Sequence, residues 1–98
     1  MKLTIEKNEN VLTVAVSGKV DTITAVEFEK AIEDHLDGVT ELILDLKEMT
    51  YTSSAGLRVI LKAQKAMNKQ GTMKVVNVRP DVMDIFEITG FTDILTIE

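Results

Sequence analysis

A short apolar run, Leu42–Leu46, lies between two segments whose apolar residues recur with the period of a helix. Apolar and polar residues barely alternate within this run, which predicts a strand buried on both faces. A buried strand with a helix before it and another after it is typical of parallel strands joined by helical crossovers. This one feature therefore restricts the chain to the α/β class.

The two neighbouring helices are predicted from the spacing of their apolar residues. The first starts near Ala25, can be capped by Thr22 or Thr24, and is expected to end at Gly38. The second starts after Ser53-Ser54, at the exit of the strand. Their apolar faces are Phe28, Ala31, Ile32 and Leu36 in the first helix, and Leu57, Ile60, Leu61 and Met67 in the second.

Further strands are predicted on both sides of this core. An alternating segment from Leu3 turns at Asn8-Glu9-Asn10 into Val11–Val16, which indicates a hairpin. Its second strand is expected to end at Ser17-Gly18, and Met73–Val78 is predicted as a later strand.

A third helix should start at Pro80, a residue favoured in the first turn, and end at Gly90. Its inward side chains would be Val82, Ile85, Phe86 and Thr89. Ile94–Ile97 is predicted as a last short edge strand, which gives the order β-β-α-β-α-β-α-β. We expect a mixed, mostly parallel sheet with helices mainly on one face, because three helices are few for five strands. No linker or repeat is visible, so residues 1–98 are interpreted as a single domain.

Composition excludes several classes of function. A net charge of −5 argues against direct nucleic-acid binding, and the absence of cysteine excludes disulfides and thiolate chemistry. No apolar run reaches the ~20 residues of a membrane span, and the N-terminus alternates instead of forming a signal peptide. We therefore expect a cytoplasmic protein without membrane insertion. No nucleotide-binding glycine loop, metal cluster or hydrolase serine motif occurs, so the sequence predicts no cofactor, no metal, no catalytic residue and no enzyme activity.

The junction Thr52–Arg58 is the strongest functional candidate. It places two hydroxyls, Ser53 and Ser54, at a helix N-terminus, where serine can cap free N–H groups and where a phosphate is also favoured. Capping does not explain Gly56, since glycine costs roughly 0.5–1 kcal/mol relative to alanine within a helix. Something is therefore expected to approach the backbone closely there. The residues alone leave open whether a serine is only a cap or also a switch.

Two aspartates are further candidates. Asp21 follows the second strand and could reach the same end of the sheet as Ser54, or it could simply form an Asx turn. Asp45 near the end of the buried strand is either functional or turned outward. A phosphoaspartate receiver is disfavoured, because the acidic pair that would hold Mg²⁺ is missing.

Three segments together resemble the STAS domain family, in the form of a bacterial anti-sigma factor antagonist. Gly18-Lys19-Val20-Asp21 resembles the loop before the family's first helix, and Leu42–Leu46 with Met49-Thr50-Tyr51 resembles its central strand. Ser53–Arg58 resembles its serine-containing junction, and the likeness extends over essentially all 98 residues.

The resemblance implies a partner-switching protein. An unphosphorylated antagonist of this family binds an anti-sigma factor that is also a serine kinase; phosphorylation releases it, and a serine phosphatase resets it. Carried onto this chain, the resemblance implies that Ser54 is the phosphoacceptor. Many members have aspartate immediately before the acceptor, whereas this chain has Ser53 there, so Ser53 is the alternative acceptor. The implied contact surface comprises Asp21, Thr22, Ser53, Ser54, Gly56 and Leu57. The alternative implied by the same fold is a STAS-type structural subunit of a membrane transport complex without a phosphoswitch.

Overall fold

A computed structural model describes all 98 residues, Met1–Glu98. The strands and helices are β1 (Lys2–Asn8), β2 (Val11–Val20), α1 (Thr24–Glu33), β3 (Glu41–Thr52), α2 (Ser54–Gln70), β4 (Thr72–Val76) and α3 (Pro80–Ile88), followed by a 3-10 turn (Phe91–Asp93). The four strands form one sheet in the order β1-β2-β3-β4, in which β1 is antiparallel to β2 and the other pairs are parallel. The predicted α/β class with a mixed, mostly parallel sheet is confirmed.

One face of the sheet supplies the core, and the helices pack on that face. In β3, Leu42, Leu44 and Leu46 are fully buried, whereas the alternate residues Ile43 and Asp45 are only half-buried. The prediction that this strand is buried on both faces is therefore wrong. Ile43 lies on the face without helices, so an apolar residue there made the sequence pattern look continuous. None of the three helices has the length and apolar character that crossing a membrane would require.

The second strand continues past its predicted end. Ser17 and Gly18 lie inside β2, which runs on to Val20 because irregularities in its pairing with β3 take up the extra residues. Gly18 has a φ of 88°, a left-handed conformation that glycine adopts without a steric penalty. This extension carries β2 to the same edge of the sheet as the end of β3.

Two helix predictions need correction. The first helix ends at Glu33 instead of Gly38, and Leu36 packs against the core from the following turn. Thr89 does not face inward: it is exposed at the end of α3, and its hydroxyl donates a hydrogen bond to the Ile85 carbonyl at 2.7 Å. Gly90 follows in the left-handed conformation with a φ of 78°, and ends α3 as predicted.

The last predicted strand is reduced to a single parallel bridge between Ile97 and Val75 of β4. The Val75 N–H donates to the Thr96 carbonyl at 2.8 Å, and the Glu98 N–H donates to the Val75 carbonyl at 2.9 Å. A short C-terminal segment therefore lies along part of the β4 edge without forming a fifth strand.

Candidate functional site

The candidate site lies at the edge where β2 and β3 end. Val20 and Thr52 are the last paired residues of these parallel strands, and the Ser53 N–H donates to the Val20 carbonyl at 2.8 Å. The turn that starts at Asp21 and the Ser53-Ser54 junction therefore leave the sheet side by side. Crevices at the carboxyl ends of parallel strands are where open α/β sheets place their sites.

The two serines have different structural roles. Ser53 is the N-cap of α2: its backbone is extended, and its Oγ accepts a hydrogen bond from the Gly56 N–H at 3.2 Å. Ser54 is the first residue of the helix and is exposed, and its hydroxyl has no hydrogen-bond partner within the chain. One hydroxyl is thus used to hold the helix, while the other is available to a partner molecule.

Gly56 is explained by the packing of α2 against the strand ends. A Cβ atom at this position would lie 2.9 Å from Val20 Cγ1 and still nearer to Thr52 Oγ1, and both side chains are buried. The close approach expected from the sequence is therefore made by the chain itself. Leu57 belongs to the hydrophobic core with 8% of its surface exposed, so Gly56 and Leu57 support the junction from beneath.

Asp21 organises the start of α1. Its Oδ1 accepts hydrogen bonds from the Thr24 N–H at 2.8 Å, the Thr24 hydroxyl at 3.0 Å and the Ile23 N–H at 3.0 Å. The Asp21 N–H in turn donates to Thr24 Oγ1 at 2.9 Å. The bonds from Thr24, followed by the one from Ile23, hold the pKa of the Asp21 carboxyl below its usual value. Asp21 thus orders the turn that leads into α1. The N-cap position itself is Ile23 and has no side-chain capping bond, so neither Thr22 nor Thr24 caps the helix as predicted.

A groove of about 500 Å³ runs between α1 and α2 from a point next to Ser54. Lys62 of α2 spans it, with Nζ 2.9 Å from Glu29 Oε2 and 3.0 Å from Glu33 Oε1. These bonds to Glu29 and Glu33 raise the pKa of Lys62. The residues lining the groove include Thr22, Ala25, Val26, Ala55, Arg58 and Val59. The groove therefore combines an apolar floor with charged walls.

Two exposed apolar side chains at the start of α1 were missed from the sequence. Ile23 is 78% exposed and Val26 is 66% exposed, beside the Asp21 turn. Both lie off the buried face of α1 that contains Phe28, and this departure from the helical pattern was the signal that could have identified them. Ile23 and Val26 therefore add exposed apolar surface beside the exposed hydroxyl residues Thr22 and Ser54.

The remaining candidates lie elsewhere. Asp45 is turned outward onto the face without helices, where its Oδ1 accepts hydrogen bonds from the Lys47 N–H and Asn77 Nδ2, each at 3.1 Å. His35 follows the end of α1, with Nδ1 2.6 Å from the Ala31 carbonyl oxygen. No group of three or more His, Asp or Glu side chains is arranged to hold a metal ion.

The fold and the junction together define a small α/β domain that presents an unbonded serine hydroxyl at the carboxyl edge of its sheet. The sequence matches the family model described as STAS domain over residues 2–98. The chain therefore belongs to the STAS domain family.

Named relatives indicate the branch of that family. BtrV of Bordetella bronchiseptica, which is named as a putative anti-sigma factor antagonist, is 35% identical over 99% of this chain and 85% of its own length. The anti-sigma-B factor antagonist of Bacillus subtilis is 30% identical over 95% of this chain and 86% of its own length.

Solved structures have the same architecture. An anti-sigma factor antagonist from Mycobacterium paratuberculosis superposes with a TM-score of 0.88 at 26% identity, covering 98% of this chain and 83% of that one. The Bacillus cell fate determinant SpoIIAA in its phosphorylated form superposes with a TM-score of 0.78 at 15% identity, covering 99% of this chain and 91% of that one. The second likeness concerns the fold alone.

Proposed function

We propose that the chain is an anti-sigma factor antagonist whose binding to an anti-sigma factor is ended by phosphorylation of Ser54. The function is supported by relatives that are named as anti-sigma factor antagonists and align over nearly the whole chain. The observation that favours Ser54 is the difference in hydrogen bonding between the two serines. Ser53 Oγ caps α2, whereas the Ser54 hydroxyl is exposed and has no hydrogen-bond partner within the chain.

The proposed switch requires little chemistry from the chain itself. A serine kinase activity of the anti-sigma factor would transfer the γ-phosphoryl group of ATP to Ser54 Oγ, with the hydroxyl proton passing to a base of the kinase and ADP leaving. A serine phosphatase would return the phosphoryl group to water and regenerate the hydroxyl. The chain supplies an accessible nucleophile on a rigid helix end, which is the geometry that positioning by a kinase requires.

The same position allows a phosphate to be added without breaking the fold. A phosphoserine adds about −1.5 to −2 charges, and negative charge is favoured at a helix N-terminus. Arg58 lies one turn further along α2, is exposed and forms no ion pair within the chain, so it can approach a phosphate on Ser54. SpoIIAA shows that this fold accommodates a phosphorylated form.

The proposed contact surface surrounds the acceptor. It comprises Asp21, Thr22, Ser53 and Ser54, with Gly56 and Leu57 as its support, and we add the exposed Ile23 and Val26. A dianionic phosphate in the middle of this surface would have to be desolvated on binding together with the apolar side chains, which is costly. We expect release on phosphorylation because the cost of desolvating the phosphate would exceed the binding free energy that the remaining contacts supply.

Incubation of the chain with its cognate anti-sigma factor and ATP, followed by mass spectrometry, tests the acceptor. Ser54→Ala should abolish the modification, whereas Ser53→Asp should retain it, since aspartate is also an N-cap and leaves the Ser54 hydroxyl in place. Modification that persists in Ser54→Ala but disappears in Ser53→Asp would transfer the role to Ser53.

Calorimetric titration with the anti-sigma factor tests release. Ser54→Asp should bind at least about tenfold more weakly than the wild type, a loss of about 1.4 kcal/mol. Ser54→Ala should bind as well as the wild type. Equal binding by Ser54→Asp would contradict charge-driven release, and absence of binding by the wild type would contradict the antagonist function. Neighbouring genes for a kinase or phosphatase would support the switch, and transporter genes would support a structural subunit.

A further inference from the structure

Strand β1 leaves one edge of the sheet open. It pairs only with β2 and lies at the end of the strand order, whereas the opposite edge at β4 is partly occupied by the bridge to Ile97. The open edge is seven residues long, Lys2–Asn8, and its pairing with β2 is continuous over that length. An edge of this kind is a template for another strand.

The hairpin determines which backbone groups face outward. Asn8 and Val11 flank the two-residue turn and form the first hydrogen-bonded pair, and such pairs alternate along an antiparallel ladder. Glu6, Thr4 and Lys2 therefore direct their N–H and C=O groups towards β2. Leu3 and Ile5 direct theirs away from the sheet, where another strand could reach them.

The side chains of β1 in one copy of the chain are complementary to those of β1 in a second, antiparallel copy. We propose that β1 pairs antiparallel with β1 of a second copy of the chain, with Leu3 opposite Ile5 and Thr4 opposite Thr4. In this register the outward groups of Leu3 and Ile5 meet as hydrogen-bonded pairs. Lys2 of each copy then lies directly opposite Glu6 of the other, and opposite charges facing each other across strands are stabilising. Neither Lys2 nor Glu6 has an ion-pair partner within its own chain.

Other registers are less favourable. Only alternate residues of β1 direct their N–H and C=O groups outward, so any other register that keeps these groups paired must change each residue's partner by two positions. One such shift places Leu3 opposite Lys7 and removes the Lys2–Glu6 pairs; the opposite shift places Lys2 opposite Thr4. A further shift brings Glu6 against Glu6, which is repulsive. Charges on edge strands commonly prevent pairing, but here their order favours one register.

The helices do not obstruct this dimer. The twofold axis between the two Thr4 residues is perpendicular to the sheet, so both helix layers lie on the same face of an eight-stranded sheet. Helix α1 packs on β2, and the two β2 strands would be three strand spacings apart, about 14 Å. Packed helices need only about 8–10 Å between axes. The half-buried Leu3 and Ile5 of both copies would then form one apolar strip between the helix layers.

The dimer would also arrange the two switch sites. Because β1 and its copy run in opposite directions, the carboxyl edges of the two β2 strands face opposite ends of the extended sheet. The two Ser54 residues would lie at these ends, and each would remain accessible.

Sedimentation velocity and ¹⁵N–¹H NMR of the full chain over a concentration series test the proposal. We expect a single pairing of seven-residue strands to bury less than the ~1,200 Å² of a standard interface, and association to become visible only at about 0.1–1 mM. The amide signals of Leu3 and Ile5 should shift with concentration. Lys2→Glu and Glu6→Lys each place like charges opposite one another, and each should weaken association about tenfold.

Charge exchange supplies the decisive control. The double variant Lys2→Glu with Glu6→Lys restores both pairs and should dimerise like the wild type, and a mixture of the two single variants should form a heterodimer. Neither side chain forms an ion pair within the chain, so folding should be unaffected. A wild type that stays monomeric at about 1 mM, or a dimer indifferent to these charges, would overturn the proposal.

Discussion

Replacing Gly56 by alanine measures how tightly α2 is held against the strand ends. The added methyl group would lie 2.9 Å from Val20 Cγ1 and nearer still to Thr52 Oγ1. Val20 is completely buried and Thr52 is 3% exposed, and both are β-branched side chains with little freedom to turn away. Overpacking a core costs about 1–3 kcal/mol, and the helix propensity of alanine offsets about 1 kcal/mol of it. Two stiff contacts favour the upper limit, so we expect a net loss of about 2 kcal/mol.

Urea unfolding followed by circular dichroism provides the measurement. With a slope of about 1 kcal/mol/M for a domain of this size, the midpoint of Gly56→Ala should fall by about 2 M. The matched control is Thr52→Ala, alone and combined with Gly56→Ala. Thr52→Ala removes Oγ1, the atom nearest to the added methyl group. The double variant should therefore lose less unfolding free energy than the two single variants together, by at least about 1 kcal/mol.

A Gly56→Ala variant that is as stable as the wild type, or more stable, would contradict a tight fit of α2 against Val20 and Thr52. That result would mean that α2 has room to accept a methyl group, and Gly56 would then need another explanation, such as close contact with a partner molecule. The calorimetric affinity of Gly56→Ala for the anti-sigma factor separates these cases. A stable variant that no longer binds would return Gly56 to the contact surface.

The other predictions concern the two helix starts. Ser53→Ala should destabilise the protein by about 1 kcal/mol because it removes the cap of α2, whereas Ser54→Ala should leave the urea midpoint nearly unchanged. Asp21 has a lowered pKa in the folded chain, so its charge contributes stability above its unfolded pKa of about 3.9, and this is lost as pH falls through the native value. Asp21→Asn should therefore have a lower urea midpoint than the wild type at about pH 7, and the difference should shrink as the pH is lowered from about 7 to about 3. A constant difference across that range would contradict the assigned charge.

Much of the fold could be predicted from sequence because local signals agreed with tertiary packing. The helical spacing of α2 and the hairpin turn after Asn8 were sufficient to place those elements. The predicted end of β2 at Ser17-Gly18 failed because a glycine can mark a bulge inside a strand as well as its end. The burial of β3 was misjudged because Ile43 is apolar but lies on the uncovered face, which periodicity cannot distinguish from a second core.

The residues that form the site could be predicted from the sequence, but which serine caps α2 and which hydroxyl is free could not. The sequence indicated a cap and a spare hydroxyl at Ser53 and Ser54, but the assignment depends on which backbone is extended and which is helical. Gly56 correctly indicated close approach, yet the partners Val20 and Thr52 are brought there only by the extended pairing of β2 and β3. Long-range contacts of this kind are not contained in local patterns.

The junction separates the atoms that hold the structure from the atom proposed to be modified. Ser53 Oγ caps α2, the Ser53 N–H joins it to Val20, and Gly56 admits the helix to the strand ends. The Ser54 hydroxyl takes part in none of these interactions. Since modification of Ser54 would break no bond of the fold, the unfavourable free energy of the added charge would be expressed in binding and not in folding. A serine that also capped the helix would divide that free energy between binding and folding, and would make a poorer switch.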